Sequence, residues 1–138
     1  MLLVGTRDLD KAEAELLESN NVYVVSAADY RKGVALSDAL GTLTAKCELL
    51  YVNIDMDVLS PHLVPSATTP SEGGFELAEL SEVVRTILAT GLVAAISLTS
   101  LNPLGGTRGQ TSTNSAWRIL QTILAEWTQV PALPAGFS

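Results

Sequence analysis

The stretch Leu49-Leu50-Tyr51-Val52-Asn53-Ile54-Asp55-Met56-Asp57 decides the reading of this chain. Its first half is apolar at nearly every position, the texture of a strand covered on both faces. It then runs directly into two acids. Side chains alternate along a strand, so Asp55 and Asp57 are expected on the same side. Two carboxylates held together on one face repel, and they must share a proton or bind a cation. All-oxygen ligands suit Mg²⁺, Mn²⁺ or Ca²⁺ better than Zn²⁺. The competing reading is structural: Asp57 caps the following loop while Asp55 meets a backbone amide or an arginine.

Outward from this stretch, similar apolar runs occur at Leu2–Val4, Val22–Ser26 and Val93–Leu98. Between them the spacing turns helical. Asp10 with Glu13 three residues later reads as an N-cap before a stripe of Ala12, Leu16 and Leu17. Val34, Leu36, Leu40 and Leu43 predict a second helix. Leu77, Leu80, Val83, Val84, Ile87 and Leu88 predict a third, ended by Gly91 as a left-handed cap. A fourth is expected from about Thr113, with Ala116, Ile119, Leu120, Ile123, Leu124 and Trp127 facing inward. The order βαβαβαβα calls for parallel strands, right-handed crossovers and helices on both faces. The expectation is thus an α/β fold, a three-layer αβα domain over residues 1–127 with a mainly parallel sheet, and an extended tail over 128–138. A long irregular segment from Asp57 to Phe75, with Pro61, Pro65, Pro70, Gly73 and Gly74, follows the third strand at its carboxyl end. That is where an open parallel sheet binds ligands, and a loop this long is usually functional.

Composition narrows the function classes. Hydrophobic residues make up 47% of the 138 and charged residues 17%, which excludes a disordered chain. The net charge of −7 without a basic cluster argues against nucleic acid and against an anionic membrane surface. The longest apolar stretch, Gly91–Leu101, is too short to span a bilayer. One cysteine, Cys47, and one histidine, His62, exclude an internal disulfide and a Cys/His zinc site. These features point to a reduced, cytoplasmic protein. Cys47 reads as a packing residue, His62 as an exposed loop histidine, and Trp117 and Trp127 as core or subunit-contact residues. Gly105–Gly109 reads as a site rim or a plain connection, since it lacks the Lys-Ser/Thr of a phosphate loop.

The run Asn53-Ile54-Asp55-Met56-Asp57-Val58-Leu59-Ser60-Pro61, followed by Pro65, Thr69-Pro70 and Gly73-Gly74, resembles the second metal-binding motif of the ureohydrolase superfamily. That group comprises arginases, agmatinases and formimidoylglutamases. Gly5-Thr6-Arg7-Asp8-Leu9-Asp10 is similar to the G-x-R-D-x-D of the same enzymes, and Leu101-Asn102-Pro103 to the end of their last core strand. The likeness covers approximately Leu2 to Leu124. It implies that Asp55 and Asp57 are ligands of a pair of Mn²⁺ ions that activate a water toward a guanidino or amidine carbon. It also implies that Asp10, Glu13 and Thr69 lie near the substrate. The plainer readings are a helix cap for Asp10 and Glu13, and a turn residue before a proline for Thr69.

The departures bear on activity. The family's histidine and D-A-H-x-D ligands have no counterpart here, so the resemblance implies the carboxyl-side half of a catalytic domain. In the family a further strand inserts into the middle of the sheet, so this chain is expected to lack a central strand between its own pairs. The unpaired edges would require cover from another chain, either a second copy or a complementary half bearing the missing ligands. Ser60, Ser97 and Ser100 replace family acids. The resulting expectation is a protein related to Mn²⁺-dependent C–N hydrolases, weak or inactive by itself. The alternative is a non-catalytic half-domain that serves as an interaction or oligomerisation module.

Overall fold

A computed structural model describes residues 1–128. Nine regular elements follow in order: β1 (Leu2–Thr6), α1 (Lys11–Ser19), β2 (Tyr23–Ser26), α2 (Ala27–Arg31), α3 (Leu36–Thr44), β3 (Leu50–Asp55), α4 (Leu77–Leu88), β4 (Val93–Thr99) and α5 (Thr107–Glu126). A 3-10 turn, Met56–Val58, follows β3. The tail expected beyond Thr128 lies outside the described residues.

All pairing is parallel. β1 pairs with β2 and β3 with β4, as two separate two-stranded sheets. The expected gap between pairs is therefore present. Arg7, just past β1, donates to the carbonyl oxygen of Asp57, just past β3, so the carboxyl ends of the two pairs meet. The chain leaves β1 toward β2 and leaves β3 toward β4, in opposite directions from the gap. With the right-handed crossover that parallel strands require, this order sets α1 on one face and α4 on the other, an αβα layering.

The core lies on the α4 side. The amphipathic stripe of α4 buries Leu80, Val83, Val84 and Leu88, while Leu36 and Leu40 of α3 and Ala116, Ile119 and Ile123 of α5 complete the cluster. Gly91 adopts φ +69 beyond α4, as its reading as a cap requires. Phe75, fully buried, stacks edge-on against Tyr30 with ring centroids 5.3 Å apart. Its burial is worth about 2–3 kcal/mol.

Several sequence expectations need correction. β3 is covered on one face only: Leu50 and Ile54 are buried, while Tyr51, Asn53 and Asp55 are exposed, Tyr51 at 69%. Its apolar run therefore overstated the cover. The stripe expected on α1 finds no core, and Leu16 is 63% exposed. Val34 precedes its helix and is exposed. The short α2 was not foreseen, although Ser26 and Asp29 carry its cap: Asp29 N donates to Ser26 Oγ at 3.0 Å.

The last helix begins at Thr107 rather than Thr113, because its first turns dock through hydroxyls instead of an apolar stripe. Ser115 Oγ donates to Leu63 O at 2.7 Å, and Ser112 Oγ accepts from Ser66 N at 3.2 Å. A Cβ on Gly109 would fall 2.5 Å from Pro103 O, so glycine permits the close approach. Most of Gly105–Gly109 is thus helix cap and first turn. Leu124 and Trp117 face outward, at 66% and 55% exposure, whereas Trp127 packs against the core and donates from Nε1 to Val93 O. Cys47 packs against the core as expected. No helix among the described residues is long and apolar enough to cross a membrane.

Candidate functional site

The segment after β3 is ordered by specific ties. Leu59 bridges Phe75 in parallel, Phe75 N donates to Val58 O at 2.8 Å and Ser60 N to Phe75 O at 2.9 Å. Arg31 donates to the carbonyl oxygens of Gly73 and Gly74 and forms a two-point ion pair with Glu79. These contacts fix the turn that carries the second acid.

Asp55 ends β3. Its Oδ1 accepts from Asp57 N at 2.9 Å and its Oδ2 from Ser100 Oγ at 2.8 Å. Asp57 lies in the 3-10 turn rather than on the strand, so alternation along a strand does not relate the two acids. What brings them together is the capping of the turn by Asp55. Asp57 Oδ1 is buried without a hydrogen-bond partner. Burial, and then the charge of Asp55, push its carboxyl above the usual aspartate range against the opposing pull of Arg7. The guanidinium of Arg7 is spent on main chain, at Asp57 O and at Ser71 O (3.2 Å), so it leaves that oxygen unpaired. Each buried orphan of this kind costs about 1–3 kcal/mol.

One element of the structural alternative is visible, since Asp55 does meet a backbone amide, but the cap of the turn is Asp55 and not Asp57. The oxygen of Asp57 is the part that alternative leaves unexplained. Among the described residues no three His, Cys, Asp or Glu side chains converge on one point. The pair fits a fraction of a cation's ligand set and does not close one.

The other expected site residues fall elsewhere. Asp10 and Glu13 form a reciprocal capping box, with Glu13 N donating to Asp10 Oδ1 at 2.8 Å and Asp10 N to Glu13 Oε2 at 3.0 Å. Both are exposed, as is Thr69, and none of the three lines the cavity beside Asp55 and Asp57. His62 is an exposed loop residue whose Nε2 lies 3.3 Å from Glu76.

Sequence reading missed a polar row on the open face of β3 and β4. Ser97 Oγ donates to Asn53 Oδ1 at 2.7 Å and lies 2.7 Å from Tyr51 Oη, and Thr99 Oγ1 donates to Asn53 Oδ1 at 3.3 Å. The signal was available in the parallel register, which sets Asn53 beside Ser97 and Asp55 beside Thr99. Asp8 and Ser100, just past β1 and β4, hold φ of +55 and +59. Such conformations are costly for residues other than glycine and cluster at functional edges.

Parallel strand pairs with two acids at the carboxyl end of β3 make an α/β domain of αβα type, with the candidate site at the edge where such sheets bind ligands. A profile of the Arginase family matches residues 1–125, and the chain belongs to this family. It is 31% identical over 116 residues to the arginase of Coccidioides immitis (strain RS), covering 82% of this chain and 36% of that one. Arginase-1 of Sus scrofa is 26% identical over 129 residues, 91% of this chain and 40% of the relative. Among solved structures, Helicobacter pylori arginase superposes with a TM-score of 0.80 at 16% identity, over 91% of this chain and 43% of its own. Formimidoylglutamase from Bacillus subtilis superposes with a TM-score of 0.82 at 22% identity, over 91% and 40%. The chain thus spans about two-fifths of the length of these relatives.

Proposed function

We propose that this chain is the carboxyl-side portion of a manganese-dependent hydrolase of guanidino or amidine carbon–nitrogen bonds, contributing Asp55 and Asp57 to a metal centre whose remaining ligands come from elsewhere. The observation that carries the reading is the unpartnered buried oxygen of Asp57 beside a second carboxylate already oriented by Ser100 and a backbone amide. A cation there would offset the repulsion and the burial together, and bound Mn²⁺ supplies a water of lowered pKa as a nucleophile. The chain's own residues set the stage: Asp55 fixes the turn, Ser100 orients Asp55, and Arg7 holds the turn's backbone. With two carboxylates alone, binding is loose and hydrolysis weak or absent.

Calorimetric titration of Mn²⁺ into the metal-stripped protein tests this, beside the Asp55→Asn/Asp57→Asn double variant. Saturable binding on the order of millimolar, lost in the variant, is the expected result. Equal heats from both folded proteins would overturn it.

A second reading, a non-catalytic interaction module, is favoured by Ser97 and Ser100. Their hydroxyls are fully engaged with Asn53 and Asp55, in a chain where no three ligands converge among the described residues. It expects the Asn double variant to match the parent in metal response and in thermal stability.

A further inference from the structure

On the open face of β3 and β4, the direction of each hydrogen bond follows from the hydrogens each group carries. Ser97 has one hydroxyl hydrogen and gives it to Asn53 Oδ1 at 2.7 Å. Tyr51 Oη, 2.7 Å from Ser97 Oγ, is therefore the donor in that pair. Thr99 Oγ1 donates to the same Asn53 oxygen at 3.3 Å. Both lone pairs of that oxygen are thus filled from β4, and the carboxamide stands with Oδ1 toward β4 and Nδ2 away from it. Asn53 is exposed, and no described residue accepts from its Nδ2. Asp55 follows on the same face, about 7 Å further along the strand. Its two oxygens are already engaged by Asp57 N and Ser100 Oγ. What the row offers a ligand beside Asp55 is the N–H pair of Asn53 as donor and the hydroxyl oxygen of Thr99 as acceptor.

We propose that Asn53 determines specificity, and that the group taken beside Asp55 is planar and uncharged, with one acceptor atom flanked by N–H donors. An amidine kept neutral by an electron-withdrawing substituent has that pattern, as does its ureido counterpart. The inference rests on the reading of Asp55 and Asp57 as metal ligands and narrows the substrate of that site. The imino nitrogen or carbonyl oxygen of the group accepts from Asn53 Nδ2, and a flanking N–H donates to Thr99 Oγ1. A guanidinium cation meets neither condition. It carries donors only, so it faces Asn53 donor against donor and leaves both unpaired. Asp55 has both oxygens engaged, and a divalent cation on Asp55 and Asp57 repels a second positive charge.

The test uses the full isotope-labelled chain at saturating Mg²⁺ and two probes of the same shape, N-methylurea and methylguanidinium. The nuclear magnetic resonance signals of the Asn53 side-chain amide report binding. N-Methylurea should shift them along a saturating curve and bind about fivefold more tightly than methylguanidinium, the ratio that one net hydrogen bond gives. Asn53→Asp keeps the acceptor for Ser97 and Thr99 and replaces only the N–H pair. The fold should persist and the preference should reverse, read there from the backbone amides of residues 53–55. Repeating both titrations on the Asp55→Asn/Asp57→Asn variant separates this inference from the metal reading. The same preference in that variant, in a protein whose parent binds no metal, would keep Asn53 as a binding residue and remove only the hydrolytic role. Equal affinities, a preference of the parent for methylguanidinium, or no saturable shift at Asn53 in either protein would overturn the proposal. So would nuclear Overhauser contacts that place the Asn53 N–H hydrogens against Ser97 and Thr99, since the carboxamide would then present an acceptor.

Discussion

Ser100 Oγ donates to Asp55 Oδ2 at 2.8 Å from a backbone held at φ +59. A strained residue at the end of β4 thus orients the acid at the end of β3. Replacing it separates the two effects. Ser100→Ala keeps the strain and loses the hydrogen bond, and should destabilise the protein by about 1 kcal/mol. Ser100→Gly loses the same bond but releases a left-handed conformation worth about 1–2 kcal/mol, and should lie close to the parent. Urea unfolding midpoints give the comparison. An alanine variant as stable as the glycine one would show that the backbone there is unstrained.

Gly5 adopts φ +81 in β1, and a Cβ there would lie 2.5 Å from Val58 Cγ2 and 2.7 Å from Phe75 Cε2. Phe75 is fully buried and cannot retreat. Gly5→Ala combines a forbidden backbone with overpacking and should cost about 3 kcal/mol or more in chemical denaturation. A loss below about 1 kcal/mol would mean that the turn after β3 yields easily, and that the Asp57 position is less fixed than described.

Arg31 joins α2 to α4 through Glu79 and to the carbonyl oxygens of Gly73 and Gly74. The hydrogen bond from Arg31 holds the Glu79 carboxyl below its usual range. A depressed carboxyl pKa gives stability that is present above the unfolded value, about 4.3, and lost as pH falls through the folded one. The pair is partly exposed, so its worth is discounted to about 1 kcal/mol. Glu79→Gln should therefore be less stable than the parent at pH 7, and the difference should shrink below about pH 4.3. Thermal unfolding at pH 7 and pH 3 checks this, and a gap that persists at pH 3 would assign the loss to packing.

The fold was legible because hydrophobic period and chain order carry it. The stripe of α4 and its Gly91 cap are local features, and four apolar runs separated by helices fix parallel pairing. What escaped the sequence was which apolar positions the described residues leave uncovered. Leu16 and Tyr51 are apolar or aromatic, yet they face solvent, and no period in the sequence marks them off from the buried positions. The start of α5 escaped for a different reason: serine hydroxyls dock it, and they have no hydrophobic period. At the site, the proximity of Asp55 and Asp57 was anticipated correctly, but on the wrong geometry. A turn capped by Asp55 brings them together where strand alternation was expected to. Ser100 was read only as a lost acid, because its bond to Asp55 spans 45 residues and depends on the register of β3 with β4.

Ser60 offers the sharpest test of a substitution that separates this chain from the motif it resembles. Its side chain is buried, and its hydroxyl lies within hydrogen-bond distance of both Gly74 O (3.0 Å) and Glu76 Oε1 (2.8 Å). A serine suits that pocket because its single O–H can donate to either acceptor, the Gly74 carbonyl or the Glu76 carboxylate. An acid in the same place would set one carboxylate against another and against a carbonyl oxygen, in a volume with little water. Ser60→Asp should thus destabilise the protein by about 2–3 kcal/mol at neutral pH, more than a typical surface change. The penalty should fall as pH drops through the carboxylate range, since protonation turns one acid into a donor. Combining it with Glu76→Gln should recover more than half of the loss, because the amide can donate to the new carboxylate. Unfolding free energies of the parent, both single variants and the double variant form the cycle. Independent effects, with no coupling between the two positions, would refute a direct contact between the side chains at 60 and 76 and would leave the identity of Ser60 unexplained by this structure.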